Sequence, residues 1–225
     1  MLHLGLKNVK HDYCLGGCIL ESVSSERDLG VIIQNDFKVS EQCSKVVKTA
    51  NKILGMINRS FTFKTKDNIL QLYKSLVRPH VEYCIQVWRP HLVKDISLLE
   101  NVQHRATRMI PSLRSLSYEQ RLVALKLTTL ETRRLRGDLI EVFKIVKGFD
   151  DVNVSDFFSF AHTDLRGHSF KLFKPRFNTN IGKFAFTNRV VDEWNMLPVD
   201  VVSSNTVLNF KVKLDEYLRN GRGLT

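Results

Sequence analysis

The chain has 225 residues, 43% apolar and 25% charged, with 34 Lys and Arg against 23 Asp and Glu, for a net charge of +11. That balance excludes a disordered chain, and the length permits one large domain or two small ones, with a core that needs no staples. No run of about 18 apolar residues exists to span a membrane, no apolar signal stretch opens the chain, and four cysteines are too few for a disulfide framework; the expected compartment is therefore intracellular, cytoplasmic or nuclear, with reduced thiols.

In chain order, Tyr13-Cys14-Leu15 and Cys18-Ile19-Leu20 flank Gly16-Gly17 and read as two short strands around a turn. Leu29-Gly30-Val31-Ile32-Ile33 is a third β-type piece, in which Gly30 suggests a bulge or the close approach of another backbone. From Val39 the period becomes helical. Val39, Cys43, Val46, Val47, Ala50, Ile53, Leu54 and Ile57 form one apolar stripe, with Ser40 as a plausible N-cap. Lys45, Lys48, Lys52 and Arg59 lie off that stripe.

A second helix begins after Thr65 and is expected to break or kink at Pro79, with Arg78 pushed out of the α region. Asp95 is expected to cap a helix running through Met109 and ended by Pro111. Ser117-Tyr118-Glu119-Gln120 and Thr128-Thr129-Leu130-Glu131 have the capping-box pattern, and Gly148 is a natural terminator for the helix after the second. Residues 149–183 look irregular, with short strands near Ser169–Phe173, and two further helices are expected at about 184–196 and 205–219. The class is mainly α: a helical bundle with a small N-terminal β-hairpin and a mixed α/irregular C-terminal piece, divided as 1–36, 37–148 and 149–225.

The charge is localised. Residues 1–50 are neutral, 51–150 carry +9 and 151–225 carry +2. A basic segment of this kind is the footprint of a polyanion binder, or else a solvated helix surface; acidic proteins and anionic membrane surfaces are the other candidate partners. Catalytic motifs are absent: the sequence has no phosphate-loop glycine pattern, no G-x-S-x-G and no H-x-x-x-H. Asp150-Asp151 comes after the end of a helix, so it reads as a solvated loop rather than a two-metal pair.

Several segments occur in a telling order. They are Glu26-Arg27-Asp28-Leu29-Gly30-Val31, then Leu76-Val77-Arg78-Pro79-His80-Val81-Glu82-Tyr83-Cys84 closing with Val87-Trp88-Arg89-Pro90. Next come Leu99-Glu100-Asn101-Val102-Gln103-His104-Arg105-Ala106-Thr107-Arg108, Tyr118-Glu119-Gln120-Arg121-Leu122, Arg133-Arg134-Leu135-Arg136-Gly137-Asp138-Leu139 and Asn188-Arg189-Val190-Val191-Asp192-Glu193-Trp194-Asn195-Met196-Leu197-Pro198. Together, over residues 2–218, they resemble the C-terminal part of the RNA-directed DNA polymerases (reverse transcriptases) of LINE-type, non-LTR retrotransposons, the jockey-like and chicken-repeat-like groups. The resemblance implies a helical thumb and connection from residue 37 onward. It also implies a palm-end, primer-grip-like hairpin at Leu29, Gly30 and Val31. The aromatic-Ala-Asp-Asp hairpin that holds Mg²⁺ in a full-length polymerase would lie upstream of residue 1, so no cofactor and no polymerase activity are expected of this chain alone.

The implied partners are RNA or RNA–DNA duplex and the missing palm domain; no membrane and no small-molecule substrate are expected. A thumb grips a duplex by its backbone without reading sequence, a task for Lys and Arg on rigid helices. The candidate contacts are Lys45, Lys48, Lys52 and Arg59, with Arg105, Arg108, Arg133, Arg134 and Arg136 as a second set. Arg78 and Arg89 are alternatively expected to bond carbonyls or Glu82. Tyr83, Trp88 and Trp194 are expected as core anchors rather than base-stacking platforms. The Phe residues at 157, 158, 160, 170, 173, 177, 184 and 186 are expected to form the C-terminal core. Two rival readings remain: a module reused by a host to bind protein through that Phe-rich surface, and a relic of a truncated element without function.

Overall fold

Two glycines with positive φ, Gly16 at 57° and Gly17 at 80°, turn β1 (Cys14–Leu15) back onto β2 (Cys18–Ile19). The computed structural model describes residues 1–5, 7–161 and 167–221, with side chains described through 219. A second hairpin pairs β3 (Ser25–Asp28) with β4 (Val31–Gln34), Asp28 opposite Val31. Its two-residue turn is Leu29-Gly30, both at positive φ (43° and 88°), the geometry that matches strand twist. Gly30 is thus a turn residue, not a bulge, and the strand preceding it is illegible by pattern because Ser-Glu-Arg-Asp has no apolar alternation.

The first group of helices is α1 (Ser40–Ser60), α2 (Lys66–Leu72), α3 (Arg78–Glu82), α4 (Ile85–Trp88), α5 (Val93–Arg108) and α6 (Tyr118–Leu125). After them come α7 (Leu130–Val146), α8 (Asn180–Phe184), α9 (Phe186–Arg189), α10 (Val191–Asn195), α11 (Val199–Val202) and α12 (Val207–Gly221). The protein is mainly helical, as expected. It forms two compact units, one of residues 1–84 with 88–125, the other of residues 85–87 with Lys126 onward. The expected division at residues 36 and 148 is not where the chain divides. Val31 of β4 is buried and the Ile32 amide donates to Gln42 of α1, so the hairpin belongs with the first helices. α7 packs on α10 and α12, so it belongs with the C-terminal residues.

In the first unit α1 buries Cys43, Val46, Val47, Ala50, Leu54 and Ile57, and packs on α5 and α3. Ser40 is the first helical residue rather than the cap. Its hydroxyl donates to Asp95 Oδ2 at 2.6 Å, so Asp95, 4% exposed, receives a cross-helix bond instead of capping α5. Thr65 caps α2 by accepting from the Asn68 amide. Pro79 does not break the helix. A π-helical turn (Tyr73–Val77) lies between α2 and α3, the Arg78 amide donates to the Tyr73 carbonyl, and Arg78 stays in the α region (φ −59°, ψ −38°). The wider turn relieves the clash a proline ring makes with the carbonyl four residues back. Ser117 and Gln120 form the reciprocal capping box of α6, Ser117 N to Gln120 Oε1 at 2.9 Å and Gln120 N to Ser117 Oγ at 3.3 Å.

In the second unit Thr129, one residue later than expected, caps α7. α7 ends in a Schellman motif: the Gly148 amide (φ 69°) donates to the Ile145 carbonyl, the Phe149 amide to that of Lys144, and Phe149 stacks on Phe143. The core gathers Leu139, Val142, Phe143, Trp194, Val202, Phe210 and Leu214, with the Phe143 and Phe210 rings 4.1 Å apart. Of the eight Phe expected to build it, only Phe158 is buried. Phe157, Phe160 and Phe173 are exposed, and Phe170, Phe177, Phe184 and Phe186 are half-buried. The irregular backbone there cannot present a continuous apolar face, whereas α7, α10 and α12 can. The helix expected at 184–196 is three short pieces, broken first by the extended Ala185 (φ −57°, ψ 146°). Phe160 and Leu172 form a single antiparallel bridge where short strands were expected.

Candidate nucleic-acid interface

Helical phase decides where the basic residues stand. Lys45, Lys48, Lys52 and Arg59 are spaced three, four and seven residues apart, which puts them on one face of α1, opposite its buried stripe. Lys48, Lys52 and Arg59 are exposed and Lys45 is half-buried. On α5, Arg105 and Arg108 are exposed on the face turned away from Leu99, Val102 and Ala106.

α1 and α5 pack together, and at their C-terminal halves a cleft of about 460 Å³ opens between them. It is lined by Leu54, Gly55, Asn58, Arg105, Arg108, Met109 and Arg114. Among the described residues that line it there are three arginines and no carboxylate. Arg105 reaches across to α1 and donates to Asn51 Oδ1 at 3.3 Å. Arg59 stands beside Gly55 on α1, its Nη1 4.0 Å from where a Cβ on that glycine would be.

Arg114 was not among the expected contacts, and its placement depends on Arg121. The chain turns through a 3₁₀ segment (Pro111–Leu113) after α5 and returns to α6. Arg121, 3% exposed, donates from Nη1 to the Leu116 carbonyl at 2.7 Å and from Nε to Thr107 Oγ1 at 3.1 Å, fastening that loop to α5. Its Nη2 lies 3.2 Å from Nε2 of His104, whose pKa is lowered by burial and then by the charges of Arg121 and Arg108. A neutral imidazole can accept from Arg121; an imidazolium could not. Beneath this, Tyr118 donates to Glu100 and receives a bond from Gln103, and burial holds its phenol strongly toward the protonated form. No sequence pattern marks Arg114; the capping box at Ser117 fixes only where the loop ends and α6 begins.

No protein-family model matches the chain, and neither does any curated protein or solved structure. The interface therefore stands on its own geometry.

The other expected contacts lie in the second unit and are not a free basic face. Arg134 is 1% exposed: it sits inside α7's buried stripe with Leu130 and Asp138, and cannot reach a polyanion. Arg136 is engaged by Asp215, with Nη2 2.9 Å from Oδ2. Arg133 is half-buried. Arg78 pairs with Glu82 at 3.7 Å, one of its two expected roles.

Leu29, Gly30 and Val31, expected from the resemblance to act as a primer grip, lie at the turn end of the second hairpin. Leu29 is 82% exposed and Val31 is 3% exposed; what lies against Gly30 is the Tyr83 side chain, not the second backbone that was one expectation for that glycine. Tyr83 itself is 57% exposed, so it is not the core anchor expected, whereas Trp88 and Trp194 are buried. Lys45 lines a second cleft beside this hairpin.

Asp150 Oδ1 faces Lys144 Nζ at 3.4 Å after the end of α7, and Asp151 is exposed. One carboxylate facing an ammonium and another in solvent do not make the donor set of a two-metal centre. Among the described residues no group of three His, Cys, Asp or Glu could hold a metal ion, and no helix is long and apolar enough to cross a membrane.

Proposed function

We propose that the first unit binds RNA or RNA–DNA duplex through its phosphate backbone, without sequence preference, in the manner of the thumb of a LINE-type reverse transcriptase. The observation that carries this reading is the arginine cleft: Arg105, Arg108 and Arg114 converge from α5 and the loop after it beside the lysine face of α1, with no carboxylate among the described lining residues. Guanidinium groups present forked donors that match phosphate oxygens, and a helix face sets their spacing. The bonds of Arg121 hold the loop backbone that carries Arg114, while the exposed guanidinium groups keep their own rotamer freedom until they bind. Polymerase chemistry is not part of the proposal, since among the described residues Asp150 and Asp151 do not form a pair suited to two metal ions.

The test is an anisotropy titration of a fluorescent RNA–DNA hybrid at several salt concentrations. Each phosphate contact contributes about 0.9 to the slope of log affinity against log salt. The triple variant R105A/R108A/R114A is expected to lower that slope by roughly 2–3. Salt-independent binding, or a slope that the variant leaves unchanged, refutes the reading.

One observation favours a second reading, a host-reused protein-interaction module. Phe157, Phe160 and Phe173 are 38%, 42% and 56% exposed in the second unit, and Phe157 and Phe173 line a cleft with Phe158 and Pro175. Exposed aromatic clusters mark protein-binding surfaces. F160S/F173S is expected to leave hybrid binding unchanged under the first reading and to abolish association with a protein under the second.

A further inference from the structure

The second cleft of the first unit differs in chemistry from the arginine cleft. It has a volume of about 420 Å³, within the range of small-ligand sites, roughly 300–1,000 Å³. Arg27 and Gly30 of the hairpin form one side, His80 and Tyr83 another, and Gln42, Lys45, Val46 and Thr49 of α1 the rest. Arg27, Lys45 and His80 thus line the same cleft as one exposed aromatic ring.

The ring is held in place by backbone. Tyr83 Oη donates to the Leu29 carbonyl at 3.0 Å, and its ring edge passes 3.5 Å from the position a Cβ on Gly30 would take. The hydroxyl is therefore already engaged, and what Tyr83 offers a ligand is its exposed π surface. Because the ring is anchored at its far end, little rotamer freedom remains to be lost on stacking. Gly30 is required by its φ of 88°, while the ring stands at ordinary van der Waals distance from the place a Cβ would take.

We infer that this cleft binds one unpaired nucleotide, its base stacked on Tyr83 and its phosphate held by Arg27 and Lys45. A flat π face with adjacent cations is the chemistry that single-stranded nucleic-acid sites use. A base in the interior of a duplex cannot fill it, since both its faces are covered by neighbouring pairs. The inference rests on the proposed nucleic-acid reading and adds a single-strand site to it. The two clefts share α1: Lys45 and Gly55 lie about 15 Å apart along the helix axis, at about 1.5 Å per residue. At about 100° per residue, Gln42, Val46 and Thr49 of this cleft and Leu54, Gly55 and Asn58 of the arginine cleft lie on opposite sides of α1, so the two are separate sites.

The test compares a blunt RNA–DNA hybrid with the same hybrid carrying a three-nucleotide unpaired tail that contains 2-aminopurine. The tail is expected to raise affinity about tenfold, with its fluorescence quenched on binding. Y83L should abolish the gain and the quenching while leaving blunt-hybrid affinity unchanged. Y83F keeps the ring and should keep most of the gain. R105A/R108A/R114A should weaken both probes and preserve their ratio. Equal affinity for both probes, or a gain that survives Y83L, overturns the inference while leaving the duplex reading intact. If neither hybrid binds, the duplex reading fails, and titration of the free 2-aminopurine trinucleotide decides this one: no quenching overturns it.

Discussion

Arg189 grips Asp138 with both arms of its fork, Nε to Oδ2 at 2.9 Å and Nη2 to Oδ1 at 3.0 Å, across 51 residues of chain. Asp138 is wholly buried and the Arg189 side chain is 10% exposed. The same guanidinium donates to the carbonyls of Ile85, Gln86 and Phe184, at 3.3, 3.0 and 3.1 Å. One side chain thus ties the short segment Ile85–Val87 and the α8–α9 corner to the middle of α7. Removing one partner leaves a buried charge without its counterpart. R189M is expected to destabilise by about 3–5 kcal/mol, measured by urea denaturation. The double variant R189M/D138L should recover part of that loss, because the orphaned carboxylate goes as well. A double variant no better than the single one would mean that the carbonyl contacts dominate.

The basic residues separate by burial. K48A/K52A removes two exposed ammonium groups from α1 and should weaken hybrid binding with a melting temperature within a degree or two of the parent. R134A should do the reverse. It opens a void in the buried face of α7, and unfolding by heat should come many degrees earlier while the first unit's affinity for the hybrid is unchanged. If K48A/K52A melts like R134A, the lysine face is structural.

Trp194 is fully buried, and its indole donates to the Phe170 carbonyl at 2.7 Å. W194A should cost about 3–5 kcal/mol, read by chemical denaturation. W194F should cost less than W194A, since it keeps most of the volume and loses the hydrogen bond. A loss below about 1 kcal/mol for W194A would contradict its burial.

Three histidines, His91, His104 and His168, have pKa values below the ordinary 6.5, each chiefly through burial. His168 is the most deeply placed, with Nε2 3.0 Å from the Trp194 carbonyl. The unfolded chain binds these protons more readily than the folded one does. Their contribution to stability is therefore complete above about pH 6.5 and falls away as pH drops from there through the lowered folded values. The melting temperature should decline between pH 7 and pH 5, and H168Q should flatten that decline. An unchanged pH profile in H168Q would place the dependence on the other two histidines.

What the sequence disclosed was mostly local. The hairpin at Gly16-Gly17, the capping box at Ser117 and the terminator at Gly148 need only neighbouring residues, and all three form. The stripe and opposite lysine face of α1 were equally legible, because 21 residues of one period leave no ambiguity of phase. Arg134 was misplaced by residue type, although its spacing from Leu130 and Asp138 marks it as part of a buried stripe. Of the phenylalanines expected in the C-terminal core, Phe158 belongs to it and Phe170 and Phe186 pack against it, while Phe157, Phe160 and Phe173 are exposed, because aromatic content does not say whether the backbone beneath is regular enough to cover it. Arg114 and Tyr83 were beyond reach for another reason. Their roles depend on Arg121 and on the Leu29-Gly30 turn, partners distant in sequence or visible only in three dimensions.

The π-helical turn at Tyr73–Val77 also sets the register of the chain beyond it. Ile69, Tyr73, Val77 and Val81 are all buried and lie four residues apart. On an ordinary helix of 3.6 residues per turn, three such steps would wind the last side chain roughly 120° away from the first. The expanded turn offsets part of that drift, and Val81 stays buried with the other three. Chain length is consequently fixed here more tightly than residue identity. Loss of a single residue between Tyr73 and Val77 would rotate everything downstream by about 100°, carrying His80 and Tyr83 off the cleft they line, whereas exchanging Lys74 or Ser75 for another polar residue would leave the alignment untouched.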